Sequence, residues 1–214
     1  MPFNKLGESL AYYLSSFSNL FKNKTKDLNE QLFNYLKGLV ASPLANLQVI
    51  SEHLQIEEQY QNLHHFLHDS KWDYKPVMDK VAQRFVENCN TNDLIFLLID
   101  EMSVVKKGKM SAGVSRQYCG SLGKVENCQV GVFSALSNGQ KVSIINSKLY
   151  LPQEWVDDKE RCKKAHIPEN EIVFKTKIDL AWEQIEHTKN LNIPFECVHF
   201  DGFYGRDTKL LKKC

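Results

Sequence analysis

The sequence predicts an α/β protein, α+β overall, in which a helical amino-terminal region precedes a mixed β-sheet with flanking helices. Apolar residues recur at three- and four-residue steps over residues 1 to about 89, a spacing typical of amphipathic helices. After Asn92 the pattern changes to continuous apolar runs of strand length. A helical stretch then separates the last run from the earlier ones, as in α/β sheets. We therefore place the domains at residues 1–89 and 90–214.

Five helices are predicted in residues 1–89. Two of them are expected to begin near Pro43 and Pro76, because proline suits a first helical position, where its missing N–H would have no partner. The apolar positions that mark the five helices are Leu6, Leu10, Tyr13, Leu14 and Phe17; Leu28, Leu32, Tyr35, Leu36 and Leu39; Leu44 to His53; Leu63, Phe66 and Leu67; and Val77, Val81, Phe85 and Val86.

Four strands and one helix are predicted in residues 90–214. The second and third strands are separated by the turn residues Ser137, Asn138 and Gly139. The predicted strands are 94–99, 130–136, 142–151 and 195–200, and the predicted helix is 178–187.

Two of these strands are each followed by an aspartate. Asp100 closes the first apolar run and Asp201 closes the last, so each carboxylate is expected at the carboxyl end of its strand. Mg²⁺ takes oxygen ligands and is commonly held by one or two carboxylates together with substrate phosphates. Asp100 and Asp201 are therefore the predicted metal ligands. Glu101 is the second choice, because adjacent side chains on a strand point to opposite faces.

Basic residues follow the first acid. Lys106, Lys107 and Lys109 surround a glycine, and Arg116 and Lys124 lie in the glycine-bearing stretch that comes next. These side chains could contact phosphates, since arginine bonds a phosphate through two parallel N–H groups. The alternative is a solvated charged hairpin, which composition alone favours.

Composition limits the remaining functions. The net charge of +1 gives the whole chain no electrostatic bias, so a nucleic-acid role needs local basic patches. The six cysteines form no CxxC pair, which indicates free thiols in a reducing cytoplasm. No secretory signal and no apolar run of membrane-spanning length is present, so we expect a cytoplasmic protein with no membrane partner.

Three histidines, His64, His65 and His68, invite a metal interpretation. His64 and His68 are four residues apart on a predicted helix, a spacing that can bind zinc. No glutamate lies between them and no third ligand stands at a recognisable spacing. We therefore favour a packed helical turn involving Phe66 and Trp72.

Taken together, residues 94–206 resemble insertion-sequence transposases of the DDE type, whose catalytic domain has an RNase H-like fold. The blocks that carry the resemblance occur in the family's order and include parts of the helical region. They are 63–67, 70–73, 99–109, 113–120, 122–132, 149–158, 173–177 and 201–205.

The resemblance implies DNA transposition. Three carboxylates would hold two Mg²⁺ or Mn²⁺ ions, which support hydrolysis at the element's end and attack of the freed 3′-hydroxyl on target DNA. Asp100 and Asp201 match the first two acids. Lys106, Lys107, Lys109, Arg116 and Lys124 would neutralise DNA phosphates at the terminal repeats and the target. A second copy, or a second transposase chain, would be a further partner.

The sequence departs from the family in two places. The family's third acid is a glutamate downstream of the second, and this sequence reaches Cys214 before such a position. We therefore expect a truncated transposase, inactive alone, from a frameshifted copy or a split reading frame. The stretch 44–47 is also apolar where a DNA-contacting helix would be basic. The alternative is a catalytically dead DNA-binding or dimerising protein that modulates intact transposase.

Overall fold

The protein folds into two compact units, Met1–Val77 and Met78–Cys214. The computed structural model describes residues 2–22 and 24–214, and the side chains of residues 5, 7–22 and 24–214. The predicted apolar position Leu6 lies outside the described side chains. The helical first unit and the mixed sheet with flanking helices in the second confirm the predicted fold class, which is consistent with an RNase H-like fold.

The first unit is helical. Two short 3₁₀ helices, Ser18–Phe21 and Glu57–Gln59, connect its longer elements. The α-helices are α1 (Pro2–Ser15), α2 (Asn29–Ala41), α3 (Leu47–Leu54), α4 (Tyr60–His68) and the start of α5 (Tyr74–Glu87).

Buried aromatic residues form the centre of the first unit. Phe21 and Phe66 are almost fully buried, and the ring of Trp72 lies 5.3 Å and 6.0 Å from theirs. The packing of α2 on α3 requires glycine at Gly38, because a Cβ there would lie 2.2 Å from Cγ2 of Ile50. This close approach explains why a residue of low helix propensity stands inside α2.

The second unit contains the sheet. Helix α5 crosses the division between the units, and a third 3₁₀ helix covers Glu169–Glu171. The strands are β1 (Phe96–Val105), β2 (Ser115–Cys119), β3 (Lys124–Ser137), β4 (Val142–Leu149) and β5 (Cys197–Phe200). The remaining helices are α6 (Gln153–Asp157), α7 (Lys159–Lys164), α8 (Lys177–Asn190), α9 (Gly202–Gly205) and α10 (Thr208–Lys213).

The sheet is mixed around its long strand β1. Strand β3 pairs with β1, β2 and β4, antiparallel in each case, whereas β5 pairs with β1 in parallel. Helix α8 lies between β4 and β5 along the chain, as expected because parallel neighbours need a long connection.

Helix α8 covers one face of this sheet. Its Ala181 and Ile185 are fully buried in one cluster with Leu97 and Ile99 of β1. The buried Gln184 donates from Nε2 to the carbonyl of Val132 at 3.0 Å, which fastens the helix to β3. The covered face therefore holds the core of the second unit.

Several boundaries differ from those predicted. Helix α3 begins at Leu47 rather than near Pro43, because the Asn46 side chain caps it by accepting from the N–H groups of Gln48 and Val49. The compact units divide between Val77 and Met78, and the following part of α5 contributes Ala82 to the sheet core. The domain boundary at residue 89 stays a prediction.

The length and polarity of the helices decide whether any of them could span a membrane. Within the described part of the chain, none of them is both long enough and apolar enough to cross a bilayer.

Candidate active site

Asp100 lies within β1 rather than at its end. The strand continues for five residues beyond it, to Val105, and Asp100 pairs with Phe133 of β3. The prediction of a strand end at this residue was wrong, because ladder pairing with β3 outweighs the polar character of the residues after Ile99. Asp100 is exposed and shares its face of β1 with the exposed Met102.

Asp201 immediately follows β5 and caps the short helix α9. Its Oδ1 accepts from the N–H groups of Phe203 at 2.9 Å and Tyr204 at 3.3 Å. The parallel register pairs Ile99 with Phe200, so the next residue of each strand brings Asp100 level with Asp201. Neighbouring strands lie about 4.8 Å apart, so the two aspartates lie next to each other at the carboxyl end of β5.

Both carboxylates have an oxygen free for a ligand. Oδ1 of Asp100 accepts from the N–H of Glu101 at 2.7 Å, and Oδ1 of Asp201 is used in the α9 cap. Among the described residues, no hydrogen bond or ion pair engages Oδ2 of either side chain. Two exposed carboxylates with free oxygens suit a hard divalent cation.

Glu101 lies on the opposite face of β1, where helix α8 packs. Its Oε1 is 2.9 Å from Nζ of Lys177, and both side chains are mostly buried, 23% and 17% exposed. The Tyr204 hydroxyl donates to Oε2 of Glu101 at 3.4 Å. The adjacent acids Asp100 and Glu101 therefore have different surroundings, one open to solvent and one paired.

Tyr204 lies close to all three acids. Burial raises the pKa of its phenol, and the charges of Glu101, Asp100 and Asp201 raise the pKa further. The side chain is fully buried. The hydroxyl therefore stays protonated at neutral pH and acts as a hydrogen-bond donor.

The comparison with known families decides the identity. A family model described as "DDE superfamily endonuclease" matches residues 16–213, which is most of the chain. The chain belongs to this family. The predicted resemblance to DDE-type insertion-sequence transposases is thereby confirmed at the level of the family.

One curated relative supports the assignment. "Probable transposase for insertion sequence element IS701" from Microchaete diplosiphon is 26% identical over 201 residues. The alignment covers 92% of this chain and 49% of the relative, so the chain spans about half the relative's length. No solved structure matches the chain. The prediction that the chain is truncated stays a prediction.

In this DDE superfamily member the basic segment is held away from the acids. Lys106 follows the end of β1, six residues and about 20 Å along the strand from Asp100. Its backbone N–H donates to Asn127, the partner of Arg116 in the β2–β3 ladder. Lys124 begins β3, and its Nζ lies 3.6 Å from Oε2 of Glu126. Lys106 and Arg116 thus lie on opposite sides of β3 at the level of Asn127, about 10 Å apart, and they do not surround Asp100.

The other predicted basic residues flank this segment. Lys107 and Lys109 are exposed, and the backbone carbonyl of Lys109 accepts from Arg161 at 2.9 Å. The guanidinium of Arg161 in turn lies 3.8 Å from the ring centre of the buried Trp155. The bond from Arg161 therefore holds the backbone of the lysine loop, residues 106–109, while the Lys107 side chain is exposed to solvent.

A third candidate ligand does join the histidines of α4. Within residues 2–22 and 24–214, the one set of three ligating groups whose atoms lie within 4.8 Å of one another is His64, His65 and Asp69. The His65 ring contacts the Asp69 carboxylate four residues later, and His68 stacks on His64. A hydrogen bond between exposed side chains four residues apart accounts for the proximity of His65 and Asp69 without a metal.

Two residues of the acid site were not predicted as members of it. Lys177 reaches Glu101 across 76 positions of sequence, a pairing that spacing cannot reveal. A weak signal was present, since a lysine directly after the helix-capping Thr176 opposes the helix dipole. Tyr204 belongs to the second-acid block, and its place three residues after Asp201 is the corresponding signal.

Proposed function

We propose that the chain supplies Asp100 and Asp201 to the active site of an insertion-sequence transposase. The reaction would be divalent-metal-dependent cleavage of DNA at the element's ends, followed by joining of the freed end to target DNA. The observation that carries this proposal is the level placement of the two aspartates on the neighbouring parallel strands β1 and β5.

The donor set fits a metal. Asp100 and Asp201 would each offer Oδ2 to Mg²⁺ or Mn²⁺, the oxygen left free by their hydrogen bonds. A bound divalent ion would polarise the phosphodiester and activate the attacking water or 3′-hydroxyl. Two carboxylates alone would repel the DNA backbone, so the charge of the site itself supports a metal requirement.

The chain's own groups hold the carboxylates in place. The N–H of Glu101 orients the carboxylate of Asp100, and the first N–H groups of α9 orient that of Asp201. The Tyr204 hydroxyl remains protonated, because burial and the nearby acids raise its pKa. It can therefore donate a hydrogen bond near the site but does not serve as a base at neutral pH.

The basic segment suits DNA outside the cleavage point. About 20 Å separates Lys106 from Asp100 along β1, which corresponds to about six base pairs at 3.4 Å each. We propose that Lys106, Lys107, Lys109 and Arg116 contact phosphates at that distance. Lys124 is proposed as a weaker contact because Glu126 offsets its charge.

A second candidate function is binding without cleavage. The exposed Lys107 and Lys109 follow the end of β1, away from Asp100 and Asp201, so phosphate contacts at these lysines do not depend on the two carboxylates. This separation favours, as the second candidate, a DNA-binding or dimerising protein that modulates a complete transposase.

A nicking assay separates the two functions. The purified 214-residue chain is incubated with duplex DNA carrying the terminal repeats of its own element, with Mg²⁺ or Mn²⁺ and with chelator. The same preparations of Asp100→Asn, Asp201→Asn and Asp157→Asn are compared. Asp157 is the matched control, because it is an exposed acid on α6 outside the site.

The first function predicts metal-dependent nicks that are lost in Asp100→Asn and Asp201→Asn and kept in Asp157→Asn. Such nicks would also contradict the expectation that the chain is inactive alone. Nicking that survives either site substitution contradicts the assignment. The second function predicts no nicks by any of the proteins, with DNA still retained in a low-salt gel shift.

A further inference from the structure

We propose that Lys177 is a positioning residue for the metal site. It holds Glu101 on the covered face of β1 and, through Tyr204, sets the separation of Asp100 and Asp201. This inference rests on the proposed function, since it assigns a role around the same two carboxylates. It also gives Glu101 a task other than metal binding.

The contacts of Lys177 are enclosed. Its Nζ lies 2.9 Å from Oε1 of Glu101, and the rings of Tyr150 and Phe203 are each centred 5.8 Å from it. Only 17% of the lysine side chain is exposed. A cation held between two rings and one carboxylate has little freedom to move, and the carboxylate is fixed with it.

The place of Lys177 in α8 argues against a role in the helix itself. It is the first residue of α8, directly after Thr176, which caps the helix together with Asp179. A positive charge at this end is unfavourable, because the helix N-terminus carries partial positive charge. The capping box holds the helix start in place, and the lysine side chain extends from there to β1.

The network runs from Lys177 to both aspartates. Oε2 of Glu101 accepts from the Tyr204 hydroxyl, and the N–H of Tyr204 is one of the two that hold Asp201. The N–H of Glu101 holds Asp100 in turn. One carboxylate therefore joins β1, α8 and α9, the elements that carry or orient the two proposed metal ligands.

This arrangement leaves Glu101 without a free oxygen for a metal. Both of its oxygens have partners, whereas Asp100 and Asp201 each keep one oxygen free. Groups that orient metal ligands typically change metal affinity by about 10–100-fold when removed. We expect an effect in this range from loss of the lysine.

The test is a titration of the whole chain with Mn²⁺. Electron paramagnetic resonance measures the concentration of the free ion and so gives the affinity. The variants are Lys177→Met, Glu101→Gln, the two combined, and Lys177→Arg. Lys175→Met is the matched control, because it removes the 2.6 Å ion pair between Lys175 and Glu183 from the same segment. Circular dichroism verifies that each protein is folded at the temperature used.

The expected result is a loss of Mn²⁺ affinity of about tenfold or more in Lys177→Met, with Lys175→Met unchanged. Lys177→Arg keeps the charge and recovers part of the affinity. The double variant binds Mn²⁺ no more tightly than Lys177→Met, because it also lacks the lysine that holds residue 101 in place. Should Lys177→Met fail to fold, Lys177→Arg and Tyr204→Phe carry the test, each with a smaller loss than expected for the methionine variant.

A simple charge effect has the opposite sign. Removing a nearby positive charge strengthens cation binding, so unchanged or tighter Mn²⁺ binding by folded Lys177→Met contradicts the positioning role. If Asp100→Asn and Asp201→Asn bind Mn²⁺ as the unchanged chain does, the proposed metal site fails instead. The two failures are therefore distinguishable in one set of titrations.

Discussion

The two faces of β1 differ in what they hold. The face toward α8 carries the buried Leu97 and Ile99 and then the paired Glu101. The opposite face carries the exposed Asp100 and Met102. Adjacent residues of one strand thus serve packing on one side and remain available for chemistry on the other.

Two neighbouring acids can therefore have separate tasks. The carboxylate of Glu101 contacts the lysine Lys177 and the phenol of Tyr204, so its charge is compensated inside the protein. The carboxylate of Asp100 meets solvent and lies level with Asp201, so its charge is available to an external cation. Residue type alone does not separate the two, whereas strand parity does.

The largest expected effect is on stability at the covered face. Ile99→Ala should lower the free energy of unfolding by about 2–5 kcal/mol, because it leaves a cavity in the core. Met102→Ala, on the other face and 53% exposed, should change it by about 0.5 kcal/mol or less. Urea unfolding followed by circular dichroism measures both. Equal losses would mean that the two faces do not differ as described.

A smaller effect is expected at the start of α8, which covers that face. Thr176→Ala should cost about 1 kcal/mol, because it removes the side chain that accepts from the N–H of Asp179. Thr208→Ala serves as control, since Thr208 is exposed and not the capping residue of α10.

The Thr176 cap should also change how the stability of the protein depends on acid pH. Hydrogen bonds from Thr176 hold the pKa of Asp179 below its ordinary value. The resulting stabilisation is fully present above about pH 3.9, the ordinary aspartate value, and is lost as the pH falls through the lowered pKa. Thr176→Ala should therefore lose less stability than the unchanged chain over this range. An identical acid profile in both proteins would contradict the role of the cap.

The smallest effect concerns the lysine loop beyond the end of β1. Lys107→Gln should reduce the slope of log affinity against log salt for DNA by about 1, because one phosphate contact is lost. Lys189→Gln is the control, since Lys189 lies at the end of α8 over the ring of Trp182. Gel shifts at several salt concentrations give both slopes. An unchanged slope in Lys107→Gln would remove that lysine from the DNA contact.

The sequence predicts much of this fold because its elements are locally marked. The apolar run 94–99 indicates β1, and the turn residues Ser137 to Gly139 indicate the β3–β4 hairpin. The continuation of β1 to Val105 could not be predicted, since its polar residues are held by pairing with β3.

The site is predictable only in part for the same reason. Asp100 and Asp201 follow recognisable apolar runs, so the sequence predicts both. The pairing of Glu101 with Lys177 depends on α8 packing against β1, a long-range contact with no local mark. The weak signals at Lys177 and Tyr204 indicate membership of the acid site only once that packing is known.

The most direct test compares two adjacent acids in one Mn²⁺ titration. We expect Asp100→Asn to weaken Mn²⁺ binding by about tenfold or more, whereas Glu101→Gln, whose amide oxygen still accepts from Lys177, should weaken it clearly less. A loss in Glu101→Gln equal to or larger than that in Asp100→Asn would contradict the division of roles between the two faces of β1.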